Sequence, residues 1–189
     1  MNRYMIASVQ VFSVAALVSL LILSGGLAFC AETNEIIIHS GRVDITHGVG
    51  AEPIDQLDIA ITFTNTEASE GGVCHPGDSP VGYGIVVSLQ EGTCVAPTST
   101  PVVLTIPKFT RISPYSKFAK FQGVTKEKVN VDALLRILPK PVGVCGLYNL
   151  KLDALPLDMS AITANPVALS ITLGDGSSGC VTVSNAIFQ

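Results

Sequence analysis

Pro166-Val167-Ala168-Leu169-Ser170-Ile171-Thr172-Leu173 decides how the rest of the chain reads. Val167, Leu169, Ile171 and Leu173 alternate with Ala168, Ser170 and Thr172. A period of two sends one set to a buried sheet face and the other set to the opposite face. Gly174-Asp175-Gly176-Ser177-Ser178-Gly179 follows, a run of small residues with the positive-φ capacity that a chain reversal needs. Cys180-Val181-Thr182-Val183 restarts the alternation, so the segment is predicted to be a β-hairpin.

The same pattern stands 86 residues earlier, at Pro80-Val81. There Tyr83, Ile85, Val87 and Leu89 alternate, a polar turn follows, and Cys94 stands 14 residues after Pro80, as Cys180 does after Pro166. Two weakly repeated halves are therefore expected, about 36–107 and 117–188. Between them the alternation continues in short runs. Ile36-Ile37-Ile38, residues 42–46, 57–64, 82–89, 102–106, 117–122, 129–138, 147–154 and the closing hairpin all read as strands. In the run 57–64, Leu57, Ile59, Ile61 and Phe63 are expected to face in, and Asp58, Thr62 and Thr64 to face out. Pro139-Lys140-Pro141 ends one strand, because proline cannot continue a ladder. No amphipathic helix is evident, and residues 155–164 read as a loop or one helical turn. The expected fold class is all-β: a two-layer antiparallel β-sandwich.

Composition agrees with that class. Charged residues are only 14% of the 189, there is no Trp, and Gly, Pro, Thr and Val are plentiful, which is neither a helical nor a disordered balance. Residues 1–31 differ from the rest: Arg3 is the only charge early in them, Met5 to Leu23 is almost continuously apolar, and Ser24-Gly25-Gly26 opens a small-residue region. That is the layout of a signal peptide. A cut after Ala28 or after Cys30 fits, and an uncleaved N-terminal anchor is the alternative, because the apolar run is long for a signal core. Leu27-Ala28-Phe29-Cys30 resembles the bacterial lipobox, but Phe29 stands where that motif takes Gly, Ala or Ser. The chain is expected to be secreted, periplasmic or at the cell surface, with 32–189 as a single domain large enough for its own core.

Four cysteines lie beyond the leader, Cys74, Cys94, Cys145 and Cys180, and an even count in an exported chain reads as disulfides. If strands 147–154 and 167–173 are antiparallel neighbours, Cys145 and Cys180 share one end of the sheet. That geometry predicts Cys145–Cys180 and leaves Cys74–Cys94.

From about Lys117 onward the chain resembles a module of secreted bacterial proteins, often repeated in tandem. The likeness rests on Phe121-Gln122-Gly123-Val124 and on Asn165-Pro166-Val167-Ala168-Leu169-Ser170-Ile171-Thr172-Leu173-Gly174-Asp175. It covers under half of the chain and implies a β-sandwich, with no activity or site residues attached.

Motifs for chemistry are weak. Gly71-Gly72-Val73-Cys74-His75 lacks the first cysteine of a c-type haem site. His39, His47, His75, Asp44 and Asp78 could supply metal ligands, but Asp44 and His47 are three apart and point to opposite faces of a strand. Gly176-Ser177-Ser178-Gly179 is one residue short of a nucleophile elbow. Asp175-Gly176-Ser177 lacks the spaced acids of a calcium loop. A sugar cleft would lack Trp for stacking. No catalytic residue, metal ligand or cofactor is assigned.

Charge is more informative. Residues 32–91 hold ten acids and one base, and residues 92–189 nine bases and five acids. Six bases cluster between 108 and 128: Lys108, Arg111, Lys117, Lys120, Lys126 and Lys128, interleaved with Phe109, Tyr115, Phe118 and Phe121. Such a strip could hold a polyanion or the acidic side of another copy; lysines guarding a sheet edge give the same pattern. The expected role is a non-catalytic structural, adhesive or assembly module. The alternative is an extracellular carbohydrate or polymer binder rimmed by the loops 65–80 and 91–101. Expected partners are a second copy or a polymer, not nucleic acid, and not a membrane once the leader is removed. A hydrolase is the third reading.

Overall fold

Alternating runs become strands wherever one side of the run can be buried. A computed structural model describes residues 36–48, 54–66, 80–139, 144–174 and 176–189, all within the compact unit Thr33–Gln189. The predicted leader with Cys30, the loop carrying Cys74, His75 and Asp78, and Asp175 lie outside the described residues. The elements are β1 (Ile36–Thr46), β2 (Asp55–Thr66), α1 (Pro80–Tyr83), β3 (Ile85–Thr93), β4 (Ala96–Pro97), β5 (Val102–Ile106), β6 (Thr110–Arg111), β7 (Phe118–Val124), β8 (Asn130–Leu138), β9 (Val144–Leu157), β10 (Val167–Leu173), β11 (Ser178–Val183) and β12 (Ile187–Phe188).

They form two packed sheets, an all-β sandwich. One sheet has seven strands in the order β12-β1-β2-β9-β8-β7-β6; the other has five, β11-β10-β3-β4 with β5 also on β3. Two successive units share one plan. β1 and β2 pair in the larger sheet, then β3 and β5 pair in the smaller; β8 and β9, then β10 and β11, do the same. The units meet along two antiparallel seams, β2–β9 and β3–β10.

The inward residues fill the space between the sheets. Leu57, Ile61, Phe63, Leu135, Leu150 and Leu152 come from the larger sheet and Ile85, Leu89, Leu104 and Ile106 from the smaller, each below 2% exposed. Burying a side chain of this size contributes about 1.5–3 kcal/mol, so this layer holds the sheets together. Phe63 and Tyr148 add a tilted aromatic pair at 5.3 Å. Beyond β9, the segment expected to be a loop or turn drops Met159 and Ile162 into the same core, both fully buried. Asp55 ties that crossover down: its carboxylate accepts from Met159 N at 2.9 Å and Gly48 N at 2.8 Å.

The two copies of the Pro-to-Cys pattern fold differently. Val167 begins β10 directly, whereas Pro80-Val81 lies in α1 and its strand starts only at Ile85. Gly84 makes the transition, with φ of 79° and Ile106 O only 2.1 Å from where a Cβ would sit. A side chain there has no room, and the left-handed backbone disfavours one anyway. Tyr83, expected to face in, is 53% exposed as a result.

The predicted disulfide pairing is overturned. Cys94 is bonded to Cys180, with Cα atoms 6.0 Å apart, so neither Cys145–Cys180 nor Cys74–Cys94 forms. The strand adjacency behind the expectation is what fails. β9 and β10 lie in different sheets, and β10 neighbours β3 and β11 instead. The β3–β4 turn folds over β10 so that Cys94 N reaches Thr182 Oγ1 on β11, at 3.2 Å. Ala168, opposite Thr182 and on the outer side of β10, is only 4% exposed in consequence. Cys145 is also disulfide-bonded.

Candidate interaction surface

Alternation fixes which side chains of the larger sheet reach its outer face. Asp44 stands between buried Val43 and Ile45, Asp58 between Leu57 and Ile59, Asp153 between Leu152 and Ala154, and Asp132 between Val131 and Ala133. All four must therefore point outward. Strand register then aligns them. Asp44 pairs with Asp58, Asp58 with Asp153, and Asp153 with Asp132, a single row across β1, β2, β9 and β8. Two residues further along the strands a second row holds Arg42, Ala60, Lys151, Leu134 and, on β7, Lys120.

Among the described residues the outer aspartates have ion-pair partners within the face and the inner two do not, although Arg42 also attracts Asp58 from further off. Arg42 holds Asp44 through Nη2 at 2.7 Å and Nε at 2.9 Å, and Lys120 Nζ lies 3.2 Å from Asp132. Among the described residues Asp58 receives a hydrogen bond from Gln56 Nε2 at 3.3 Å besides its contact with Asp153. The carboxyl of Asp58 is pushed up to about 6, first because it shares a hydrogen bond with Asp153, then by burial and by repulsion from Asp153 and Asp44. Lys151, exposed on the neighbouring row, has no ion-pair partner among the described residues. Arg42, Asp44, Asp58, Ala60, Lys151 and Asp153 line a shallow hollow of about 300 Å³.

The predicted basic strip is distributed, not gathered. Lys120 sits on the outer face of β7, while Arg111, opposite buried Ala119, lies on the other side of the β6–β7 ladder. Arg111 Nη1 donates to Ser116 O at 3.2 Å and closes its own turn. Lys126 lies 3.8 Å from Glu127, and Lys128 occupies the β7–β8 turn at φ of 63°. Lys108 and Lys117 are exposed in the segments flanking β6. Among the interleaved aromatics, Phe109 is buried and Phe121 packs against the core. Phe118 lies beneath the Arg136 guanidinium at 5.7 Å, and Tyr115 alone stands fully out at 97%. These rings do not make a continuous stacking platform.

The histidines are likewise apart. His39 Nε2 is 3.0 Å from Thr64 Oγ1, and His47 Nδ1 is 3.5 Å from Asp55. Among the described residues no group of three potential ligands converges on one point. A second hollow, of about 530 Å³, lies between residues 100–102, 127–129 and 156–161, beside one of the loops expected to rim a polymer site. Glu127 reaches across to it from the β7–β8 turn, held by Thr105 Oγ1 at 2.8 Å.

The aspartate row itself went unmarked in the sequence. The outward direction of Asp44 and Asp58 is legible from alternation, but a row requires register, and register between strands a hundred residues apart has no local signature. The Cys94–Cys180 bond is consistent with an oxidising extracellular environment, and no described helix is long and apolar enough to cross a membrane. No family model, curated protein or solved structure matches the chain.

Proposed function

We propose that this chain is an exported, non-catalytic β-sandwich module with a structural, adhesive or assembly role, and that the outer face of its larger sheet is the working surface. The leader-like residues 1–31 and the disulfide support export. The observation that carries the role is the ordered face itself, with charges in two rows across five strands and an aspartate pair that has no ion-pair partner among the described residues. Charged rows of this kind select a partner by complementarity more than by affinity. The test uses Arg42→Glu and Lys151→Glu in the full chain expressed in its host. Retention at the cell surface or in an extracellular assembly should fall, with export and the Cys94–Cys180 bond intact. Unchanged retention would remove the face from the function.

A second reading, binding of an extracellular polymer, draws on the 530 Å³ hollow beside Thr100 and Pro101. Filling it with Ser160→Arg should abolish polysaccharide binding if that hollow is the site.

A further inference from the structure

The two rows on the outer face are related in a particular way. Along β9, Asp153 in the acidic row is followed two residues away by Lys151 in the basic row; along β1, Asp44 is followed likewise by Arg42. Two residues of strand set the rows about 6.8 Å apart. Consider a two-fold axis lying against the face, parallel to the rows and midway between them. Rotation about it exchanges the rows and leaves each strand's place across the sheet unchanged. The acidic row of one copy then lies over the basic row of another. Lys151 of each copy meets Asp153 of the other, and Arg42 meets Asp44. An axis parallel to the strands would instead stack acid on acid. The pattern is therefore self-complementary for one orientation only, which is what an isologous contact requires.

We infer that the outer face of the seven-stranded sheet is a docking surface for a second copy of this chain, joined face to face about a two-fold axis that sets each Lys151 against the other copy's Asp153. This rests on the reading of that face as the working surface and names its partner. Within one copy Asp58 and Asp153 oppose each other with no ion-pair partner among the described residues, Arg42 attracting Asp58 only from beyond ion-pair distance, and Lys151 stands exposed beside them. A second copy supplies Lys151 to that carboxylate pair and receives the same in return. This geometry differs from a head-to-tail contact between an acidic and a basic half. Strands of both halves are mixed in each sheet, so among the described residues the halves do not form separate sides. The face spans five strands, about 19 Å, and its ion pairs are exposed. A weak, salt-sensitive dimer follows, with a dissociation constant on the order of 10 µM at low salt.

The test is a charge exchange in the full chain, held in mild detergent so that residues 5–23 stay solubilised. Sedimentation of the unaltered chain should show dimer at about 50 µM and low salt, and monomer when salt shortens the Debye length to about 3 Å. Lys151→Asp and Asp153→Lys should each weaken association by about tenfold or more, because each sets like charges together. Mixed with each other, the two variants should recover a heterodimer, since each then supplies what the other lacks. Thermal unfolding of each variant alone separates lost association from lost fold. Association through the apolar N-terminal residues would survive both single variants, and that result overturns the proposal. So does a chain that stays monomeric at low salt, or variants that fail to rescue each other. Lost surface retention in Lys151→Glu with self-association absent throughout would leave the face as a recognition surface and remove the second copy as its occupant.

Discussion

The seams β2–β9 and β3–β10 occupy equivalent places in the two sheets, and both join the first unit of the chain to the second. Inside they are alike. Ile61 opposes Leu150 in one and Leu89 opposes Leu169 in the other, all fully buried. Outside they differ. The first seam sets Asp58 against Asp153 in the open; the second sets Val86 against Thr172 and Ser88 against Ser170, beside a turn clamped down by a disulfide. Apolar burial is enough to fix how the seams pair, so each outer face is free to carry its own chemistry. One is neutral, half-buried and clamped at one end. The other has been left open with unfavourable like charge, which a purely structural face would have no reason to keep.

The neutral seam can be broken hardest. Cys94→Ser with Cys180→Ser opens a loop of 86 residues. Chain-entropy arguments for a loop of that size give about 4.6 kcal/mol. Denaturant unfolding of the oxidised chain against the double variant measures it, and hydrogen exchange should show β10 and β11 losing protection before β2 and β9. A loss under about 1 kcal/mol would mean that the clamp follows the turn and does not hold it.

Next comes the entry to β3. Gly84→Ala forces a side chain into a left-handed residue and onto Ile106 O and Pro107 O, so about 3 kcal/mol should be lost. Its counterpart by the 86-residue spacing, Ser170, lies mid-strand on β10. Ser170→Ala should therefore change stability by about 0.5 kcal/mol or less. Equal costs at the two positions would contradict the four-residue offset between the copies.

The open seam has its own anchor. Asp55, at the start of β2, is only 7% exposed and accepts from Gly48 N and Met159 N. Asp55→Ala leaves both donors unpaired, one of them buried, at a cost of about 2 kcal/mol. Asp55→Asn should recover part of that, since its carbonyl can still accept one bond. Thermal melts of the two variants give the comparison.

How much of this could be read beforehand differs between the inside and the outside of the sheets. The runs 102–106 and 167–173 were legible to the residue, because apolar alternation reports burial directly. Residues 36–38 and 42–46 read as two strands and are one, β1, because a bulge between Ile38 and Ser40 resets the alternation. Thr64 reads as outward yet is buried, with His39 as its hydrogen-bond partner. Strands β4, β6 and β12 have two residues each, too short for any period to show. Sheet membership was not legible at all. The crossover after β9 sends β10 to the other sheet, and the disulfide expectation fell with it. The charged face depends on that same missing information, since four outward aspartates become a row only once register is known.

The smallest effect sharpens the contrast between the seams most, because it reverses the usual direction of acid sensitivity. In the fold Asp58 holds its proton up to about 6, against 3.8 for an ordinary aspartate, since the protonated form donates to Asp153. The folded state therefore binds more protons than the unfolded state between those values. Stability must fall as pH rises through that window and recover as pH is lowered. Glu91 and Glu127 work in the opposite sense. Hydrogen bonds from Thr163 and Ala164 hold Glu91 below its ordinary 4.5; burial pushes Glu127 up, but hydrogen bonding, with Thr105 Oγ1 donating at 2.8 Å, outweighs it and holds the carboxyl below 4.5. The stability they add is lost only below that value, so the range from about 4.5 to 6.5 isolates the aspartate pair. Much of the pair is open to solvent, which reduces the expected gain on acidification to about 1 kcal/mol. Asp58→Asn should raise stability at neutral pH by a similar amount and flatten the profile. No comparable change should follow Ser88→Asn on the other seam. Urea midpoints at micromolar protein, where a weak dimer has dissociated, would measure all three chains; a midpoint that does not move between pH 6.5 and 4.5 in the unaltered chain would mean that Asp58 and Asp153 do not share a proton.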